Sequence, residues 1–120
     1  MKHLGRLLFA VLLCAGFVGF LKPNVHTLAT ITGTGATVQI STDTTTQVAW
    51  IQVITPCSTA FCNSANVMFG DSTVNATTGL PVAPGGGYNT PVCSTCSYTL
   101  AAHYVYVANG DKAYIAFGNK

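Results

Sequence analysis

The body of this chain alternates short runs of strand-forming residues with turn residues, and this pattern limits the folds open to it. After Pro23 no stretch shows a sustained apolar repeat of 3.6 residues, as an amphipathic helix would. Gly, Pro, Asn and Asp break the chain into short β-forming runs. Strands are predicted at His26–Thr32, Ala36–Ser41, Gln47–Ile54, Ala65–Phe69, Leu80–Ala83, Tyr98–Ala108 and Lys112–Phe117.

Seven short strands in one chain of this length predict an all-β fold, a small antiparallel β-sandwich or a barrel-like domain. The composition agrees. Only 7% of the 120 residues are charged, against about 25% in ordinary globular chains. Threonine, a β-branched residue that favours strands, occurs 17 times.

Two stretches of the body give more specific expectations. The run Gln47–Ile54 is apolar on both faces over most of its length, which predicts a strand in the middle of a sheet with Trp50 anchored in the core. Asn109-Gly110 stands between two strand runs, which is the usual sequence of a type I′ hairpin. That turn would pair Val107 with Lys112 and Val105 with Tyr114.

The N-terminus has the order of a secretory signal peptide. A cationic start, MKHLGR, precedes 15 uncharged and mostly apolar residues, Leu7–Leu21. As a helix this segment would span about 22 Å, less than the ~30 Å hydrocarbon core of a bilayer. Residues 1–29 are therefore predicted to be an apolar helix that acts as a signal peptide or a membrane anchor, and residues 30–120 a single β-domain. Cleavage after Thr27-Leu28-Ala29, which has small residues at −3 and −1, would separate the two; the alternative site, Leu13-Cys14-Ala15, is nearer the apolar run but has a bulky residue at −3.

The charge distribution argues against nucleic acid as a partner. From Thr30 onward the cations are Lys112 and Lys120, against three aspartates, which gives 2 − 3 = −1. A nucleic-acid surface needs clustered Lys and Arg. Contact with a membrane is expected only through an uncleaved N-terminal segment.

Four cysteines follow the N-terminal segment: Cys57, Cys62, Cys93 and Cys96. An even number of cysteines behind an export-like leader favours two disulfides. Each pair stands within one polar loop, so local closure, Cys57 to Cys62 and Cys93 to Cys96, is the favoured pairing, and a link between the two loops is the alternative. The spacing also permits one zinc site made from all four cysteines.

The segment Pro84-Gly85-Gly86-Gly87-Tyr88 lacks the lysine and the following helix of a phosphate-binding loop, so we interpret it as a turn between strands. If the domain binds a ligand, the candidate binding loop is Gly85, Gly86, Gly87, Tyr88 and Asn89. No cofactor is indicated.

Titratable side chains are few. Asp43, Asp71 and Asp111 each stand in a predicted turn, and His103 lies in a strand run. No serine is singled out as a nucleophile. We therefore expect no enzyme activity.

Several motifs are similar to those of small phage and prophage structural proteins. They are Gly70-Asp71-Ser72, Gly79-Leu80-Pro81, Pro84-Gly85 and the stretch Tyr104–Phe117, within a resemblance that covers about half the chain. The resemblance implies a β-sandwich that decorates a virion surface and has no enzyme activity. The export-like N-terminus and the cysteine pairs depart from that pattern and favour a product that reaches an oxidising space.

The sequence thus predicts a non-enzymatic structural β-domain, exported or on a virion, that acts by self-assembly or by docking on a virion or cell-surface component. The alternatives are a secreted binding module that uses its disulfide-stapled loops and, more weakly, a zinc-stabilised domain.

Overall fold

A computed structural model of the chain describes residues 25–27 and 30–119. The predicted N-terminal helix and the apolar segment Leu7–Leu21 lie outside these residues. The described strands are β1 Val25–Thr27, β2 Ile31–Thr32, β3 Ala36–Gln39, β4 Gln47–Ile54, β5 Val67–Gly70, β6 Leu80–Val82, β7 Gly87–Asn89, β8 Tyr98–Thr99, β9 Tyr104–Val107 and β10 Lys112–Asn119, with a 3₁₀ turn at Leu100–Ala102 between β8 and β9.

The strands form two antiparallel sheets. A six-stranded sheet has the order β1-β10-β4-β7, with β2 also paired to β10 and β8 also paired to β4. A four-stranded sheet has the order β3-β9-β5-β6. The prediction of an all-β antiparallel fold with β4 in the middle of a sheet is confirmed.

The core lies between the sheets and is built from alternate residues of each strand. Val105 and Val107 of β9 point inward from the four-stranded sheet, and Ala113 and Ile115 of β10 point inward from the six-stranded one; all four are fully buried. Because side chains alternate across a strand, Tyr104 and Tyr106 then lie on the outer side and are only half-buried.

Every predicted strand except Gln47–Ile54 differs from the structure in its bounds, two are divided, and one observed strand was not predicted. His26–Thr32 is two short strands, β1 and β2, which both pair with the same edge of β10. Tyr98–Ala108 is divided by the 3₁₀ turn, so that β8 belongs to one sheet and β9 to the other. β7, which follows the glycines, was not predicted because Gly and Asn disfavour strands.

The predicted Asn109-Gly110 hairpin is wrong. β9 pairs with β3 and β5, whereas β10 pairs with β4, β1 and β2. A type I′ turn needs positive φ at both central residues, but here only Gly110 has it, at 83°. The N–H of Asp111 donates to the Ala108 carbonyl at 3.0 Å, which closes a turn that carries the chain from one sheet to the other.

The segment that pairs with this turn, around Gly33, is distant from it in sequence. β2 pairs with the start of β10 and β3 pairs with β9, so the two antiparallel segments cross together between the sheets. At the crossing the Gly33 N–H donates to the Asp111 carbonyl at 2.8 Å and the Gly110 N–H donates to the Gly33 carbonyl at 3.0 Å. A Cβ on Gly33 would overlap the Ala108 and Val107 carbonyls, so glycine is required there. This crossing, which we call the corner, lets Val107 and Ala113 face each other across the core. The paired strands of a flat hairpin could not do so.

The prediction that Trp50 anchors the core is also wrong. Trp50 alternates with the fully buried Ile51 and Val53, so it lies half-buried on the outer side. Beyond it the pairing of β4 with β10 shifts register, so that Asn119 lies opposite Val48, and this bulge turns Val48 inward on the same side as Ile51.

Candidate functional site

The first disulfide joins Cys57 to Cys62, as the favoured local pairing predicts, and closes a loop that is firmly attached to the sandwich. Asn63, which is 4% exposed, makes two hydrogen bonds to Lys112: its Nδ2 donates to the carbonyl at 2.7 Å, and its Oδ1 accepts from the N–H at 2.9 Å. The buried Asp111 carboxylate accepts from the N–H groups of Ser64 and Ala65 at 2.9 and 3.0 Å. The loop therefore lies fixed against the corner turn.

The glycine segment packs beside this loop. Gly85 has φ of +78°, and the Gly86 N–H donates to the Ala83 carbonyl at 2.8 Å, which makes a turn from β6 to β7. Thr55, 1% exposed, donates its hydroxyl to the Ala83 and Gly86 carbonyls. The segment is thus a turn between strands, as interpreted from the sequence.

The candidate binding residues of this segment have different surroundings. Gly87 and Asn89 are exposed on β7. Tyr88 packs on the core, with its ring centroid 5.9 Å from that of Phe69. The tyrosine ring is therefore half-buried and contributes to packing. A ligand contact by this loop stays a prediction.

The second disulfide joins Cys93 to Cys96 and lies at the other end of the molecule. The Cys93 N–H donates to the Ala49 carbonyl at 3.1 Å, near the start of β4, whereas Cys57 follows the end of β4. From Ala49 to Thr55 a strand extends about 20 Å. One zinc ion could not contact all four cysteines at that separation, so the structure does not bring the alternative zinc site together.

Two of the aspartate carboxylates accept hydrogen bonds within their own turns. Asp43 accepts from the Thr46 hydroxyl, which has the largest effect, and from the N–H groups of Thr45 and Thr46; together these bonds hold its pKa well below the ordinary value. The Thr73 hydroxyl and N–H lower the pKa of Asp71 in the same way. His103 stacks on Phe69 with 5.6 Å between ring centroids. Within residues 25–27 and 30–119, no three His, Cys, Asp or Glu side chains group as metal ligands.

The edges of the six-stranded sheet are short and interrupted. β7, the second disulfide loop and β8 lie in succession along one side of β4. β1 and β2 lie along the free side of β10 as two short strands. Interrupted edge strands offer little continuous backbone to another strand. The six-stranded sheet therefore exposes little continuous edge.

The outer side of the four-stranded sheet is partly covered by the loop 71–79. This loop folds back so that the Thr37 hydroxyl on β3 donates to the Val74 carbonyl, and Val74 is only 2% exposed. Gly79, with φ of +129°, lets the loop approach, since a Cβ there would overlap the Val74 side chain. The Gly-Asp-Ser and Gly-Leu-Pro motifs therefore lie at the two ends of this loop, where it joins β5 and β6.

The outer side of the six-stranded sheet carries an apolar and aromatic surface across its two central strands. We call the following residues the outer face: Trp50, Gln52 and Ile54 on β4, and Tyr114, Ala116 and Gly118 on β10. They form three cross-strand pairs, Trp50 with Gly118, Gln52 with Ala116 and Ile54 with Tyr114.

The outer face carries its large apolar side chains at its two ends. A Cβ on Gly118 would overlap the Trp50 indole, so the ring lies across that glycine. Ala116, only 7% exposed, is the small residue between this ring and Tyr114. Ile54 is 38% exposed at the far end. Gln52, half-buried, lies opposite Ala116 in the middle of the face.

The outer face contains no ionisable group other than the tyrosine hydroxyl. The nearest charge along β10 is Lys112, whose Nζ lies 4.6 Å from the Phe61 ring centroid in the first disulfide loop. An uncharged apolar surface favours an apolar partner. Sequence reasoning missed this face because it placed Trp50 in the core; the alternation of β10 could have identified Tyr114.

The chain has no match among protein-family models, curated proteins or solved structures.

Proposed function

We propose that this protein is a non-enzymatic structural β-domain that works outside the cytoplasm, of the phage or virion-surface kind, and assembles or docks through its outer face. The observation that carries the proposal is the uncharged aromatic outer face of the six-stranded sheet, whose own edges are short and interrupted. Because the edges offer little backbone for pairing, burial of side chains such as Trp50, Ile54 and Tyr114 is the main source of contact energy.

Two further observations support an oxidising location. The two disulfides would be unusual in a reducing cytosol. The export-like order of the first 22 residues agrees with them. No helix among the residues that the structure describes has the length and hydropathy to cross a bilayer.

The local hydrogen bonds support a structural role. Asp43 and Asp71 each accept hydrogen bonds from a threonine in the same loop, and Asp111 fixes the first disulfide loop. These carboxylates have partners that explain their presence without chemistry on a substrate.

The test compares one tyrosine on each sheet. Tyr114 and Tyr104 are both half-buried on outer sides, but only Tyr114 belongs to the outer face. We expect the exported wild-type protein to form ordered oligomers in sedimentation velocity, Tyr114→Glu to be monomeric, and Tyr104→Glu to assemble as the wild type does. A wild-type monomer that binds a small ligand saturably would overturn the proposal and favour the binding module.

A further inference from the structure

We propose that the free edge of β3, Ala36–Gln39, pairs with the same edge of a second copy of this chain, so that the four-stranded sheets of two molecules join into one. The inference rests on the proposed function, because it concerns copies that already assemble through the outer face. It adds a second contact of a different kind, which is made by backbone hydrogen bonds at a strand edge.

The first argument compares the edges of the two sheets. The edges of the six-stranded sheet are divided among short strands. At one edge of the four-stranded sheet, Pro81 in β6 has no N–H to donate. At the other edge, β3 has an unbroken register with β9 over Ala36–Gln39 and contains no proline and no charged residue. A strand edge without such features is open to pairing with another strand.

The second argument is the direction of the backbone groups of β3. Among residues 25–27 and 30–119, this strand pairs with β9 alone. The N–H of Ile40, which follows β3, donates to the His103 carbonyl at 3.1 Å, on the side of β9. The direction alternates along an antiparallel strand, so Val38 also bonds toward β9. The N–H and C=O groups of Thr37 and Gln39 therefore point toward the free edge.

The side chains of the same two residues are held within their own molecule. The Thr37 hydroxyl donates to the Val74 carbonyl in the loop that covers the outer side of this sheet. The Gln39 amide donates to the Ala101 carbonyl in the 3₁₀ turn at 2.7 Å. Neither side chain is thus free to satisfy the backbone groups at the edge, which need water or another strand as their partner.

The third argument is the fit of a second copy, which matches this edge through a two-fold axis at Val38. In that register Thr37 of each copy lies opposite Gln39 of the other, so their free N–H and C=O groups bond to each other. Val38 lies opposite its own counterpart on the core side. It is half-buried in the single molecule, whereas Ile40 on the same side is buried. Contact between the two valines would cover the remaining apolar surface of Val38.

The edge contact is too small to hold two copies together by itself. It involves a strand of four residues, whereas stable interfaces bury about 1,200–2,000 Å². We therefore expect it to form where the outer face already brings copies together. A two-fold contact at the outer face closes at a dimer, and a second two-fold contact at the β3 edge would link such dimers into larger oligomers.

The first test is amide exchange of the purified wild-type protein, with its native disulfides, below and above the concentration at which it assembles. We expect the N–H groups of Thr37 and Gln39 to gain more than about tenfold in protection on assembly. The N–H of Ile40 is bonded to His103 in the single molecule and should change much less. Because the sample contains only this chain, such a gain identifies a second copy as the partner. No gain at Thr37 and Gln39, or an equal gain at Ile40, would overturn the inference.

The second test compares two substitutions at one position by sedimentation velocity. Thr37→Pro removes the N–H that points to the free edge, and Thr37→Val keeps it; both lose the hydroxyl bond to Val74. We expect Thr37→Val to form oligomers of the wild-type size and Thr37→Pro to stop at the dimer. Oligomers of the wild-type size in Thr37→Pro would contradict the inference. If Thr37→Pro does not fold, the exchange measurement on the wild type decides.

The variant Tyr114→Glu separates the two proposals. If Thr37→Pro assembles as the wild type does while Tyr114→Glu is monomeric, the edge contact is wrong and the outer face stands. If Thr37→Pro gives smaller oligomers while Tyr114→Glu assembles normally, the edge contact stands and the copies meet through a surface other than the outer face. A wild-type protein that stays monomeric would overturn both.

Discussion

The two disulfide loops of this protein differ in what holds them to the sandwich. The loop closed by Cys57 and Cys62 is fixed by Asn63 and by the Asp111 carboxylate, both buried. The loop closed by Cys93 and Cys96 interrupts an edge of the sheet and leaves Val92 74% exposed. Similar local crosslinks therefore have different roles: one reinforces a loop that tertiary contacts already fix, and the other closes an insertion in an edge strand.

The largest expected effect concerns the corner on which the first loop rests. In Gly33→Ala the new Cβ would overlap the Ala108 and Val107 carbonyls and displace the turn that holds Asp111. We expect a loss of more than about 3 kcal/mol in the free energy of unfolding, or failure to fold. Gly35→Ala is the matched control: it has open space around it and only its φ of +76° opposes alanine, which costs about 1–2 kcal/mol. Equal losses in urea unfolding would disprove the role of the corner.

The next effect tests the attachment of the first loop directly. Asn63→Ala removes both hydrogen bonds to Lys112 and leaves a backbone N–H without its partner, so we expect a loss of about 2–3 kcal/mol. The counterpart at the second loop is Ser97→Ala, which removes one exposed hydrogen bond to Gln47 and should cost no more than about 0.5 kcal/mol. Thermal unfolding of the two variants measures this difference in stability. Similar losses would show that the two loops are held equally firmly.

Removing each disulfide in turn distinguishes its effect on the entropy of the unfolded chain from its effect on the order of the native loop. The loops are of similar length, so we expect Cys57→Ser with Cys62→Ser, and Cys93→Ser with Cys96→Ser, to cost about 2 kcal/mol each through the entropy of the unfolded chain. Amide exchange should nevertheless differ. The N–H of Ser64 should stay protected when the first disulfide is removed, whereas the N–H of residue 93 should lose protection when the second is removed. Loss of protection at both would show that the first loop also depends on its crosslink.

Acid should weaken the end that carries the second loop. Asp43 stands in the loop before β4, whose first residue pairs with Thr99 of β8. Its pKa is lowered in the folded protein, so its stabilising contribution is present above the unfolded value of 3.8 and is lost as the pH falls toward the folded value. We expect amide exchange at Thr45 and Thr46, corrected for intrinsic rates, to increase below that pH in the wild type. Asp43→Asn should not show the increase.

The smallest effect is expected at Val92. Its side chain is 74% exposed and is not part of the core, so Val92→Ser should change the free energy of unfolding by no more than about 0.5 kcal/mol. Val82→Ser provides the contrast, because Val82 is 3% exposed within the core. A large loss at Val92 would mean that the second loop packs more firmly than its exposure indicates.

Much of the local structure could be predicted from the sequence. Strand runs were recognisable because β-formers alternate with Gly, Pro, Asn and Asp, and β4 was predicted with its observed ends, Gln47–Ile54. The local pairing of the cysteines followed from their position within two loops. The candidate assembly face was not predicted, since β4 is apolar on both sides and only the packing of the two sheets decides that Ile51 and Val53, and not Trp50, face the core.

The sequence by itself determined most of the strand segments and the local pairing of the cysteines, because strand propensity and position within a loop are local properties. Tertiary structure alone decided which strands pair. Asn109-Gly110 favours a hairpin locally, but a hairpin would place the valines of β9 beside β10 in one sheet. Crossing at Gly33 instead lets Val105 and Val107 face Ala113 and Ile115 across the core and buries all four. The free energy of that burial outweighs a local turn preference.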